Sequence, residues 1–319
     1  MSPRLGFILR RIALTIPVLV AMSLFVFLIV RLVPGDPVRT MLGFRATDEN
    51  VATIRATLGL DRPWLDQYLS WIGGVLRGDF GEDYVSHVPL TELLGDRLPV
   101  TLELTILSMA LALLIGVPLG VLAATRPGRL RRLTNGFVIA GVSIPDFWLG
   151  IMLVLLFTAT LGLLPPSGFV PFGEDPIGNL RYMALPVLTL AIAEAAYILR
   201  TTRGAMEETL GAPYVTFLRA KGLSERSIVF RHALRNAALP IVTVVGIQFG
   251  VLLGGAIVVE SLFALPGVGR LIVTAVNQRN YLVVQGGVLV IAALFIAVNL
   301  LTDLLYGWLD PRLEGGGQG

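Results

Sequence analysis

The chain has 319 residues, 55% hydrophobic and 15% charged, with a formal net charge of +3. Soluble domains carry roughly 25% charged residues, so this composition belongs to a polytopic membrane protein. The absence of cysteine rules out disulfides and thiolate sites, and two histidines in different loops, His87 and His232, argue against a histidine metal centre.

A hydrocarbon core of about 30 Å needs about 20 apolar residues per helix. Six windows qualify: Ile12–Val33, Leu102–Thr125, Phe137–Leu164, Met183–Leu199, Ala237–Phe263 and Val283–Trp308. The first follows Arg10-Arg11, runs longer than a signal-peptide core and lacks a small-x-small cleavage site, so it is expected as an uncleaved span. The arginines at 4, 10 and 11, those at 126, 129, 131 and 132, and the Arg200–Arg235 stretch share one side of this topology. The positive-inside rule places that side, with both termini, in the cytoplasm.

Residues 34–100 form an external loop. Thr47-Asp-Glu-Asn opens an amphipathic stretch with Val51, Ile54 and Leu58, closed by Gly59. Asp61-Arg-Pro63 opens a second, with Trp64, Tyr68 and Trp71 as the residues expected to meet an external partner. Together they predict a small helical cap. A five-span core of residues 101–309, including the 200–236 segment, and a short tail, 310–319, complete the organisation.

Charges inside spans are costly and mark either satisfied contacts or function. Glu103 and Asp303 are expected to reach the interface. Asp146 and Glu260 are expected in helix–helix or helix-end contacts, and Glu194 is expected to pair with Arg200 or Arg203. Gly246, Gly250 and Gly254 recur every four residues on the fifth span, with Gln248 nearby, as a small-residue stripe for helix packing within the chain or for a pore-lining or subunit-facing seam, the latter expected. Gly116 and Gly120 form a weaker instance.

The segment 200–236 holds seven of the 25 basic residues against Glu207, Glu208 and Glu225. Pro213 suits a first helical position and Gly222 the residue just past a helix end, which predicts a two-turn helix carrying Tyr214, Phe217, Leu218, Arg219, Ala220 and Lys221. Ser224 can cap a second helix with Arg231 and His232 on its polar side, followed by Leu239-Pro240 and the fifth span. A rigid basic knob of this kind predicts a docking site rather than a lipid tether. Lys221 is the only lysine and precedes Gly-Leu, so the chain has no Gly-x-x-x-x-Gly-Lys-[Ser/Thr] phosphate loop.

Arg219-Ala-Lys-Gly-Leu-Ser-Glu-Arg226 and Arg231-His-Ala-Leu-Arg-Asn236 resemble the cytoplasmic loop of permease subunits of binding-protein-dependent ABC importers, dipeptide/oligopeptide/nickel branch. Further matches in order are Arg31-Leu-Val-Pro-Gly-Asp-Pro37, Leu98-Pro-Val-Thr-Leu-Glu-Leu104, Ser143-Ile-Pro-Asp-Phe-Trp-Leu-Gly150, Val259–Gly269, and Leu304-Leu-Tyr306 with Asp310-Pro-Arg312. Thr216-Phe217-Leu218 and Arg279-Asn-Tyr-Leu282 depart from the usual pattern. The resemblance implies an all-α, six-span type I importer permease in the plasma membrane of a prokaryote. It implies a homologous second permease, two ATPase subunits carrying ATP and Mg, and an external solute-binding protein delivering di- or oligopeptides or, less commonly, nickel chelates. In that setting Tyr214 and Phe217 would anchor the ATPase, with Leu218, Ala220, Leu223, Arg231 and His232 in the same docking loop. Arg219 and Lys221 would pair with its acidic groups, and Gly222 would set the turn. An ion-coupled secondary transporter is the alternative, but it needs midplane ionisable groups and internal repeats that the chain does not display.

Overall fold

The computed structural model describes residues 3–32, 37–42, 46–57, 59–126 and 128–309. The turn at 34–36 and the motif at 310–312 lie outside them. The described residues are almost wholly helical. Helix α1 is Pro3–Leu32, α2 Pro37–Leu42, α3 Asp48–Thr57 and α4 Trp64–Val75; α5 is Leu90–Thr125, α6 Arg129–Ser143 and α7 Asp146–Thr160. Beyond them come α8 Pro176–Gly211, α9 Pro213–Ala220, α10 Glu225–Leu262, α11 Val268–Asn277 and α12 Tyr281–Leu309.

Among the described residues five helices are long and apolar enough to cross a membrane: α1, α5, α8, α10 and α12. The expected third span is not one helix. It breaks between Ser143 and Asp146, where α6 and α7 meet at 106°. Proline disfavours the helical region for the residue before it, and Ile144, ahead of Pro145, is accordingly extended at φ −87°, ψ 123°. The pair nevertheless tracks along α8. Arg131 meets Glu207, Arg203 meets Asn135, Gly141 lies against Ala196 and Gly150 against Thr189. That steady progression makes α6–α7 one broken span and brings the total to six.

Helices α5 and α8 form the centre. They run parallel, and Gly116 and Gly120 of α5 press against Ile198 and Thr202 of α8, where an added Cβ would lie 2.8 and 2.6 Å from the nearest side-chain atom. Close backbone approach gives such pairs their dispersion contact where lipid supplies no hydrophobic drive. Leu104, Ala112, Leu185, Ala195, Ile198 and Leu252 fill the core around this crossing. Both helices outrun their apolar windows. Helix α5 begins at Leu90 rather than Leu102, and α8 runs from an Asp175 cap, which accepts from the Ile177 and Gly178 amides at 3.1 and 2.9 Å, to Gly211. Arg200 and Arg203 therefore stand on a helix, not in a loop. At the same end Asp303 pairs with Arg11 at 2.9 Å, joining the first and last spans.

The opposite end carries the cap. Tyr68 and Trp71 of α4 turn inward onto Phe27 of α1, with ring centroids 5.3 and 6.2 Å away, and the Tyr68 hydroxyl lies 2.9 Å from Ser23 Oγ. Arg31 stacks over Phe27 and donates through Nη2 to Gln67 Oε1 at 2.7 Å; the Gln67 amide donates onward to the Leu60 and Arg62 carbonyls. Gln67 thus ties α4 to α1 and to the preceding turn. Gln67→Ala removes an acceptor from a guanidinium and two local bonds, a loss of about 2 kcal/mol. It should open the cap to limited proteolysis between α3 and α4 while leaving the membrane helices protected.

Candidate functional site

The basic end carries the predicted docking element. Pro213 is the first residue of α9, and Gly222 follows its end at φ +80°. The Gly222 amide donates to the Arg219 carbonyl at 2.9 Å, and the Leu223 amide reaches the Leu218 carbonyl at 3.2 Å. Val215, absent from the sequence-based site, is fully buried and pins α9 to the body. Of the neighbouring aromatics, Phe217 is 57% exposed and points outward, whereas Tyr214 is only 37% exposed. The Tyr214 hydroxyl accepts from Asn236 Nδ2 at 2.8 Å, which fixes α9 against α10. Lys221 Nζ sits 4.6 Å from the Phe217 ring centre. Arg219 is engaged within the chain, by Glu225 at 2.7 and 3.2 Å. Leu218, Leu223 and His232 are half-buried, whereas Ala220 and Arg231 are exposed.

The second short helix is not separate. From the Ser224 cap, helix runs unbroken through a π-helical stretch at Ile228–Ala233 into the fifth span. Ile228 and Ala233 are buried, and Phe230, another residue the sequence reading missed, is 60% exposed beside them. An aromatic on the polar side of a basic helix was the signal available. The arrangement presents Tyr214, Phe217 and Phe230 as exposed aromatics on a rigid, basic surface joined directly to two spans.

Within the spans, the expected Glu194 pairing does not form. Arg203 bonds Asn135 instead, and Glu194 Oε2 accepts from Gln248 Nε2 of α10 at 2.7 Å. Residues six or nine apart on a helix do not share a face, so Arg200 and Arg203 turn elsewhere. Gln248 is accordingly a partner of Glu194 rather than part of the glycine stripe. Gly246 and Gly250 lie against Thr302 and Phe295 of the chain's own α12, whereas Gly254 faces open space.

Glu260 is fully buried near the cap end. Its Oε1 accepts from the Thr101 hydroxyl at 2.6 Å and its Oε2 from the Arg270 amide at 3.0 Å; Thr101 Oγ1 in turn accepts from the Val268 amide at 2.9 Å. The N-terminus of α11 is thus capped by side chains of α5 and α10. Its own cap residue, Gly267, has no side chain, and a Cβ there would lie 2.2 Å from the Glu260 carboxyl carbon. At the cap itself Trp64 is 55% exposed, so of the three residues expected to meet a partner only this one points outward.

Residues 116–315 match the family model described as the binding-protein-dependent transport system inner membrane component, and residues 4–105 match the N-terminal model of the same systems. The chain belongs to this permease family. It is a multi-pass inner-membrane protein and the non-catalytic permease subunit of such a system. The dipeptide transport system permease protein DppB of Escherichia coli K12 is 42% identical over 335 residues, covering 97% of this chain and 99% of the relative. A chain of the MetNI methionine ABC transporter, solved in inward-facing conformations, superposes with a TM-score of 0.55 at 21% identity, over 68% of this permease and 96% of that chain. That likeness establishes the importer permease fold. Work with ATPase and binding-protein partners follows from membership of the family.

Proposed function

We propose that this permease forms half of the membrane pathway of an ATP-driven importer for di- or short oligopeptides, paired with a homologous permease. Two ATPase subunits bind its basic face, and a solute-binding protein delivers cargo to the cap face. The observation that carries the cargo class is the end-to-end likeness to a dipeptide permease. Arginine placement supports cytoplasmic termini.

Motion follows from the geometry. ATP-driven closure of the ATPases would push α9, which is tied to α10 through Asn236 and continues directly from α8. Displacement of α9 would then move the fourth and fifth spans together and open the path to one side at a time. This chain contributes no chemistry of its own; ATP and Mg belong to the partner subunits. Proteoliposomes holding both permeases, the ATPases and the binding protein should accumulate a labelled dipeptide only with ATP inside. Uptake driven by an ion gradient without ATP would replace this reading with secondary transport. ATP-driven uptake of a nickel chelate but not a dipeptide would keep the machine and change the cargo.

A further inference from the structure

A half-open cavity of about 460 Å³ lies in the cap, lined by the end of α1, helix α4, the turn at Asp79–Tyr84 and the start of α12. It is separate from the docking surface and from the Glu194 and Glu260 clusters. Its walls are fastened. Arg31 holds Gln67 across α1 and α4, and Asn280 at the start of α12 donates to Asp83 of the turn. Gly81 lets that turn close onto Leu282, where an added Cβ would lie 3.1 Å from Cδ1.

The lining is rich in donors. Two buried N–H groups, Trp71 Nε1 and Gln285 Nε2, have no acceptor among the described residues, and both residues line this cavity. Gln285 is 2% exposed and sits one turn beyond Tyr281 on α12. Buried donors are ordinarily satisfied, so two orphans on residues that line one cavity, from α4 and α12, point to an acceptor that enters from outside the chain. Tyr84 adds a third donor: burial, reinforced by Glu82 and opposed by Arg31, pushes its phenol up to about 12, so it keeps its proton at neutral pH. The charges favour an anion. Arg31, Arg55 and Arg62 line the cavity against one carboxylate, Asp79, which is occupied by the Gly81 amide at 2.9 Å. Arg31 is held by Gln67 and the Phe27 carbonyl, and Arg55 lies 3.9 Å from Asp61, so these guanidiniums act through their field while the neutral N–H groups remain for direct bonds.

We propose that this cap cavity is a carboxylate-binding site, with Trp71 and Gln285 as its direct donors. A volume of this size admits a small organic anion or a single acidic side chain. Either source presents the same chemistry: the α-carboxylate of a free solute, or an Asp or Glu side chain of a protein docked on the cap. The inference holds whether or not the cargo is a peptide, because its test reads binding alone.

The test is calorimetric titration of the full chain in lipid nanodiscs with three probes: N-acetyl-dialanine, its terminal amide, and an N-acetylated, amidated tripeptide with a central glutamate. At least one carboxylate probe should bind saturably and about ten-fold more tightly than the neutral amide, as hydrogen bonds to a charged acceptor require. Trp71→Phe and Gln285→Leu each delete a donor while keeping bulk, and each should weaken that binding about five-fold or more. Binding of the first probe alone identifies a free solute as the source, and binding of the tripeptide identifies an acidic side chain. Absence of saturable binding by either carboxylate, or equal binding of the neutral amide, overturns the proposal. So does binding unchanged by Trp71→Phe, a variant mild enough to fold even if Gln285→Leu does not.

Discussion

Gly222→Val should cut co-purification of the permease with its ATPase subunits about ten-fold or more while leaving membrane insertion intact. Gly222 sits at φ +80°, where a β-branched side chain is strained whatever space surrounds it. A Cβ there meets nothing within 4 Å, so the cost arises in the backbone and not from a clash. Strain of this kind is worth roughly 1–3 kcal/mol. Relief would come from unwinding the turn that holds the Gly222 and Leu223 amides on the end of α9, which tilts Tyr214 and Phe217 away from their presented positions. Gly222→Asn, which tolerates the left-handed region, should retain most of the association. A valine variant that captures the ATPases at the normal level would remove α9 from the docking surface.

Glu260→Ala should lower the stability of the folded chain by about 3 kcal/mol, the loss expected when a buried polar network is broken. Alanine leaves the Thr101 hydroxyl and the Arg270 amide without their acceptor, and it frees Thr101 to rotate away from the Val268 amide. Glu260→Gln keeps one acceptor oxygen and should lose less. Gly267→Ala attacks the same knot from the other side, by steric contact with the carboxyl group, and should match the alanine variant at 260. Thermal unfolding in detergent orders the three. A Glu260→Ala chain that melts with the unaltered protein would mean that α11 holds its place without the carboxyl group.

The sequence made some parts legible because their causes are local. Pro213 and Gly222 bracket α9 through fixed φ at one end and positive φ at the other, and the helix lies where those residues predict it. Apolar windows located the spans but not the helix ends. A window measures hydrocarbon thickness, whereas α5 and α8 continue past it on hydrogen bonds and caps such as Asp175. Helix α11 escaped notice for a related reason: ten residues are too few to register as a span, and its cap comes from Thr101 and Glu260 rather than from its own Gly267. The break at Ser143–Pro145 was written in the proline but masked by the apolar run around it. Partners distant in sequence were the least legible. Nothing near Glu194 in the sequence points to Gln248, and the stripe at Gly246 and Gly250 does not reveal that α12 fills it.

Helix α8 spans 36 residues without interruption, about 54 Å at 1.5 Å per residue, well beyond the hydrocarbon core. One end is fixed by its Asp175 cap on the side of the membrane that carries the cap, and the other runs directly into α9. A body shared by both faces ties their binding equilibria together. In the proposed importer, whatever factor a protein seated on the cap applied to the tilt of α8, ATPases docked on the basic face would feel the same factor in their affinity, and the reverse would hold equally. Communication across the membrane in such an importer would be a two-way thermodynamic identity rather than a signal sent in one direction.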